Sequence, residues 1–305
     1  MDSTIASGRI ILSGASGMLG SAVDCALIAK GVSTLQLVRR APTTEGQLQW
    51  NPSVDPAIKD PGPLEGATAA IHLSGASVAA HRWTTAYRRE MGASRVDSTI
   101  RLAKILASLR QPPKALLVAS AIGIYGDRGD EVLDENSPPG TGFLADLCRQ
   151  WEAAAAPALQ AGIRVVHLRF GVVLGPGKGA LQQMLPPFRL GVGAKLGSGR
   201  QWMSWIALED VVAAILFALD HAKLAGPLNV TSPNPVTNAV FTHALGRQLH
   251  RPAVFALPRF ALRALFGQMA DEALLASARV QPAKLQAAGF QFSLPTIEES
   301  LKAAV

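Results

Sequence analysis

Near the start of this chain an apolar run, Ile10-Ile11-Leu12-Ser13, meets Gly14-Ala15-Ser16-Gly17-Met18-Leu19-Gly20, and an Ala-rich segment (21–30) follows. A turn this tight needs glycine where φ turns positive and where the main chain must touch a ligand. A helix starting at Gly17 would aim its free N–H groups and the positive end of its dipole into the turn. That geometry suits a diphosphate, so the chain is predicted to open with a dinucleotide site made by Gly14, Ser16, Gly17, Met18, Leu19 and Gly20. Three glycines alone are weak evidence. Strand before and helix after make them strong.

About twenty residues on, a second apolar run (35–38) ends in Arg39-Arg40. An acid here would take the ribose 2′-OH of NAD. Two guanidiniums pair instead with a 2′-phosphate, so the cofactor predicted is NADP(H). The bland alternative is that two arginines simply end a strand in solvent.

Near-continuous apolar runs recur at 69–73, 115–120 and 164–169, with helical patterns near 85–110 and 142–161. Strands without alternation are buried on both faces, as in parallel sheets. The βαβ rhythm therefore predicts an α/β fold, a Rossmann-like doubly wound parallel sheet. Pro112-Pro113 stops the long helix before the next strand. From Gly171 the texture changes to glycine-rich loops (175–179, 191–199) and proline-broken short segments, which predicts a smaller mixed C-terminal substrate lobe. The expected division is a dinucleotide-binding domain over 8–232, with 171–205 contributing to the substrate lobe, and a C-terminal segment of that lobe over 233–305.

Composition excludes more than it assigns. The 305 residues are 49% hydrophobic and 17% charged, ample for a core. The net charge of +7 comes from scattered basic residues without aromatic interleaving, so no nucleic-acid partner is expected. No leader-like start and no apolar run of membrane-spanning length is present, so a soluble, cytoplasmic protein with no membrane partner is expected. Cys25 and Cys148 fall inside helical patterns and read as small buried hydrophobes. The histidines lack metal-ligand spacing, so no metal is expected. His72, within a strand and without an acid after it, reads as a satisfied core residue.

Ligands of doubly wound sheets lie beyond the carboxyl ends of the strands. The stretches to interrogate are therefore Leu73-Ser74-Gly75-Ala76, Ser120 through Gly126, and Phe170 through Val173. With Gly14 to Gly20, the phrases His72 to Ala76, Ser120 to Gly126 and Leu196 to Val211 resemble an extended short-chain dehydrogenase/reductase of the NAD-dependent epimerase/dehydratase superfamily. The resemblance covers nearly the whole chain. Arg82-Trp83-Thr84, Ser94-Arg95-Val96, Gly142 to Ala145 with Trp151-Glu152, Arg200-Gln201-Trp202, Trp205-Ile206 and a C-terminal stretch from Arg251 to Phe290 narrow it to an atypical subgroup, the epimerase family proteins, with a C-terminal segment of unknown function.

The resemblance implies a nicotinamide cofactor held by the glycine loop, Leu73 to Ala76 and Ser120, and a Ser/Thr-Tyr-Lys set that moves a proton while hydride passes at C4 of the nicotinamide. The expected Tyr-x-x-x-Lys would open the helix carrying Trp151-Glu152. The chain reads Phe143-Leu144-Ala145-Asp146-Leu147-Cys148-Arg149 there, so the tyrosine is apolar in either register and the lysine falls on Leu147 or Cys148. The usual serine falls on Ala121. Phe143, Leu147, Trp151 and Ala155 recur every fourth residue, a stripe a helix buries. The ordinary relay is absent. Substitutes are Tyr125, as proton donor or merely packed, and Ser120; Arg149 is one position off, about 100° around the helix, and would face away.

Arg82, Trp83, Arg95, Arg200, Gln201, Trp202 and Trp205 flank the expected cleft. Arginines beside flat aromatics suit a small-molecule substrate that is anionic or planar; each could equally be structural. Asp210 reads as a helix-start or lobe-interface acid. Two functions follow: an NADP(H)-dependent oxidoreductase or epimerase-like enzyme with a non-standard proton donor, or a non-catalytic NADP(H) sensor or scaffold. A homodimer through the two long helices is compatible with either.

Overall fold

The computed structural model describes residues 8–305. In chain order the first half contains β1 (Arg9–Ser13), α1 (Met18–Ala29), β2 (Ser33–Val38), β3 (Gln47–Gln49), β4 (Ala69–His72), α2 (Thr85–Gly92), α3 (Ser98–Ala107), β5 (Ala115–Ala121), β6 (Val132–Leu133), α4 (Phe143–Ala153) and α5 (Ala156–Gln160). Then come β7 (Arg164–Phe170), β8 (Val172–Leu174), α6 (Ala180–Arg189), β9 (Ala194–Leu196), β10 (Trp202–Met203), β11 (Trp205–Ala207), α7 (Leu208–Asp220) and β12 (Gly226–Val230).

Seven strands form one parallel sheet in the order β12-β7-β5-β4-β1-β2-β3. Its central strands are apolar on both faces because helices cover both; Leu116, Leu117 and Val118 of β5 are fully buried. From β1 the chain runs outward through β2 and β3, then returns to the other side of β1 with β4. The order therefore reverses between β1 and β4, which opens a crevice at their carboxyl ends.

The strands at 35–38, 69–73, 115–120 and 164–169 form within a residue or two of expectation. β3 and β12 were not anticipated, the latter because Gly226-Pro227 reads as a break. Nor is 85–110 one helix: a π-turn over Ala93–Asp97 divides it into α2 and α3. The 142–161 segment is likewise two helices, α4 and α5, with Pro157 in the first turn of the second. Cys148 is buried, but Cys25 is exposed on the outer face of α1, correcting its assignment to the core.

Beyond β12 follow β13 (Val236–Thr237), α8 (Asn238–Gln248), β14 (Phe255–Leu257), α9 (Arg259–Phe266), β15 (Arg279–Val280), α10 (Ala283–Ala287) and α11 (Ile297–Ala304). α8 and α11 close a second core around Leu185, Trp205, Phe241 and Leu301. Asp210, fully buried in the first turn of α7, accepts from the Ser293 and Leu294 amides at 2.7 and 3.1 Å and so ties this lobe to the sheet. Among the described residues no helix is long and apolar enough to cross a membrane.

Candidate functional site

The turn after β1 is built so that only glycine fits. Gly14 has φ +78, and a Cβ there would stand 2.8 Å from the Leu73 carbonyl carbon. A Cβ on Gly20 would stand 2.1 Å from the Gly14 oxygen, so α1 presses directly on the turn. Gly17 begins α1 with no side-chain cap, and the first turn holds no acid. Ser16 is exposed in the turn, and the amides of Met18 and Leu19 open the helix. This is a cradle of main-chain donors at the positive end of a twelve-residue helix, chemically fit for a diphosphate.

Three other elements border it. Arg39 and Arg40 follow β2, exposed and without an ion pair among the described residues. Leu73 to Ala76 leave β4 beside Gly14, and the Ala76 amide donates to Ser94 Oγ at 3.1 Å. The third was missed in the sequence. The 175–179 loop crosses the glycine turn: Lys178 Nζ donates to the Ser16 carbonyl at 3.4 Å, and Gly179 lies against Met18. Gly-Pro-Gly-Lys-Gly reads as a hinge, and a contact spanning 162 residues leaves no local signal.

His72 anchors this end of the sheet. Its Nε2 meets Ser98 Oγ at 3.1 Å and its Nδ1 meets Ser13 Oγ at 2.5 Å. Ser98 Oγ already donates to the Ser94 carbonyl, so it accepts from Nε2–H, and Nδ1 accepts from Ser13. Burial pushes its pKa down to about 4, so the ring is neutral near pH 7.

Where a proton relay would stand, the side chains are apolar. A Cβ on Gly123, in the turn after β5, would touch Leu144 at 3.4 Å and the Cys148 sulfur at 3.9 Å. Leu147 packs with Trp83, Tyr87 and Met91. The stripe of α4 facing β5 is thus Leu144, Cys148 and Glu152. Burial pushes the Cys148 thiol up to about 12. In native protein a disulfide reagent should therefore titrate one thiol, Cys25, and a second only after denaturation; two fast thiols in native protein would contradict this burial.

Ser120 and Tyr125 are hydrogen-bonded within the fold. Ser120 Oγ donates to Glu152 Oε1 at 2.8 Å. The Tyr125 hydroxyl, fully buried, donates to Asn229 Oδ1 at 2.7 Å and accepts from Arg169 Nη1 at 2.9 Å. Burial raises the Tyr125 pKa against the opposing Arg169 charge. Arg169 and Glu152 form a forked ion pair at 2.8 and 2.9 Å. Burial works against the Glu152 charge, but the Arg169 bonds outweigh it and hold the carboxyl below its usual range. Of the two roles weighed for Tyr125, proton donor or packed residue, the hydrogen bonds here are those of the packed one, and both hydroxyls are engaged in a buried network. Arg149, as anticipated, faces solvent and pairs with Asp146.

The substrate-side residues divide. Gln201 donates to the Leu196 and Leu274 carbonyls, and Trp205, in the second core, donates to the Asn234 carbonyl. Both make the internal bonds of the structural reading that was weighed for them. Trp202 is pinned by Asp130 at 2.8 Å and stacked by Arg279. Arg200 is exposed, and Arg82 is exposed beside Gly267. Trp83 belongs to an apolar wall with Phe143, Leu144, Leu147, Phe266 and Met269. Arg95 stands behind it, buried. The C-terminal lobe completes this wall and holds α4 in place. Gly142 has no side chain to cap α4, and Glu272 does it instead, accepting from the Leu144 amide at 2.8 Å. Arg88 bonds Gln268, and Gln268 bonds Glu272.

Comparison with known proteins agrees with this geometry. Residues 10–230 match the NAD dependent epimerase/dehydratase family, and residues 257–304 match a domain of unknown function, DUF1731. The chain is 46% identical over 297 residues to the epimerase family protein Mb2239 of Mycobacterium bovis, covering 97% of each. It is 35% identical over 300 residues to the human epimerase family protein SDR39U1, covering 97% of this chain and 99% of that one. The crystal structure of human SDR39U1 (isoform 2) with NADPH superposes with a TM-score of 0.88 at 33% identity, over 96% of this chain and 98% of that one. A nucleoside-diphosphate sugar epimerase from Corynebacterium glutamicum superposes at 0.79 and 34% identity, over 99% of this chain and 60% of that one. With the glycine cradle, the sheet order and the C-terminal lobe all in agreement, this chain belongs to the NAD dependent epimerase/dehydratase family.

Proposed function

We propose that this protein binds NADP(H) and is an oxidoreductase, or an epimerase-like enzyme, that works without a side-chain proton relay. One observation carries the reading: an intact diphosphate cradle, flanked by the unpaired Arg39 and Arg40 and crossed by Lys178, opens onto a cleft whose relay positions are Leu144 and Cys148. The NADPH held by the human relative supports the choice of cofactor. The bound nicotinamide would supply or accept hydride. The chain's own part is to grip the diphosphate at Gly14 to Gly20, hold a 2′-phosphate at Arg39 and Arg40, and exclude water along the wall of Trp83, Phe143 and Leu144. Residues 233–305, with 171–205, make the substrate side.

With Leu144 and Cys148 at the relay positions, the substrates that fit are those whose reduced form is a stabilised anion that later takes its proton from water, such as conjugated carbonyls or quinone-like rings. The apolar wall suits a planar body. Replacing Arg39 and Arg40 by alanine should weaken NADPH by roughly 30- to 150-fold, the loss of about 2–3 kcal/mol of charged hydrogen bonds, and leave NADH unchanged. Calorimetric titration with both dinucleotides checks this. An equal loss for NADH would overturn the phosphate assignment. Oxidation of NADPH is to be followed against a panel of such acceptors. A panel without turnover would favour the second reading, a cofactor sensor or scaffold, to which the buried Tyr125 hydroxyl and the apolar Leu144 also point.

A further inference from the structure

We propose that Arg95, at the α2–α3 junction, binds the nicotinamide-ribose half of the dinucleotide. The inference rests on the NADP(H) reading above and adds a residue to it.

The junction is unusual in its backbone. The π-turn over Ala93–Asp97 inserts extra chain between two α-helices, and such turns recur where a side chain is re-aimed for function. Here it turns Arg95 inward, leaving it 8% exposed. A buried guanidinium ordinarily meets a carboxylate, as Arg169 does. Arg95 has none among the described residues. Its acceptors are the Ala76 carbonyl at 2.7 Å and, more weakly, the Met91 carbonyl and Ser94 Oγ, both at 3.4 Å. Five N–H donors therefore meet three acceptors, all neutral.

Its location is between α4 and the loop after β4. Cζ lies 5.1 Å from the centre of the Trp151 ring, on the helix that carries Cys148. A Cβ on Gly75 would come within 3.4 Å of the same carbon. The diphosphate cradle sits between β1 and β4, and Arg39-Arg40 follow β2 on one side of it. The other half of a dinucleotide must then run the opposite way, past Leu73 to Ala76 toward β5. That path crosses Arg95. A guanidinium there can donate to ribose hydroxyls in a fixed fork and keeps its charge where a buried lysine would tend to lose it.

The bland account makes Arg95 a staple that ties the Ala76 carbonyl to the helices. The two accounts separate by ligand. NADPH and adenosine 2′,5′-bisphosphate, which lacks the nicotinamide half, are titrated into full-length wild type, Arg95→Gln and Arg95→Lys. The glutamine variant should bind NADPH about tenfold more weakly or worse, while the bisphosphate changes less than about twofold. The lysine variant should fall between the two for NADPH. Equal losses for both ligands, or no loss for either, would overturn the assignment while leaving the cofactor reading intact. No saturable NADPH binding by wild type would overturn the cofactor reading itself. Should the glutamine variant unfold by circular dichroism, Arg95→Lys, which keeps charge and aliphatic packing, carries the same comparison.

Discussion

Glu152→Ala is expected to cost about 3–5 kcal/mol of stability and to lower the melting temperature by roughly 5–8 °C. The Arg169 and Glu152 side chains are 7% and 13% exposed. Removing the acid strands a guanidinium packed at 5.2 Å over the Tyr125 ring, with only the Tyr125 oxygen left as a side-chain acceptor. It also frees Ser120 Oγ inside the fold. The penalty belongs to the stranded charge rather than to the pair. Adding Arg169→Met to the variant should therefore recover part of the loss, since the stranded charge is removed and the space left at position 152 remains. Urea denaturation of the two single variants and the double variant measures this directly. Tyr125→Phe should cost less, about 1–3 kcal/mol, and leave NADPH affinity unchanged. If Glu152→Ala lost under about 1 kcal/mol, water would be reaching the network. Tyr125 would then return as a proton donor.

That network explains which parts of the site could be read from the chain alone. The glycine turn, the double arginine and the missing Tyr-x-x-x-Lys are local patterns, and each stands where the sequence put it. So do the strands whose both faces are apolar, because burial on two sides leaves an unbroken hydrophobic run. The role of Tyr125 is not local. Its hydroxyl is claimed by Arg169 and Asn229, 44 and 104 residues away, and β12, which brings Asn229, opens with a Gly-Pro pair that reads as a loop. The cap on α4 comes from Glu272, 128 residues distant, and no motif marks it. Ser94-Arg95 was visible as a phrase. The π-turn that buries it depends on packing against the β4 loop and Trp151, which the helical period of 85–110 conceals. Trp205 is the converse case: a tryptophan in a polar phrase, weighed as cleft residue or core, is covered by a second core that the sequence does not announce.

Acidification should destabilise the protein through His72, by about 2 kcal/mol at pH 5 and about 3 kcal/mol by pH 4. Burial lowers the folded pKa to about 4 from the model-compound value of 6.5. Between those values the unfolded chain holds a proton that the folded chain refuses. Stability is therefore full above about 6.5 and falls as the pH drops toward 4. His72→Gln removes this contribution, so the difference in unfolding free energy between wild type and variant should shrink by these amounts from pH 7 to pH 4. Glu152 and the other carboxylates titrate in both proteins and cancel in the difference. The ring is held between Ser13, at the end of β1, and Ser98, at the start of α3, so a neutral imidazole fastens the strand that leads into Gly14 to the helix that follows Arg95. A difference independent of pH would mean that solvent reaches the ring. His72 would then be a base within reach of the cleft, and the absence of a side-chain proton carrier, on which the choice of substrate class depends, would no longer hold.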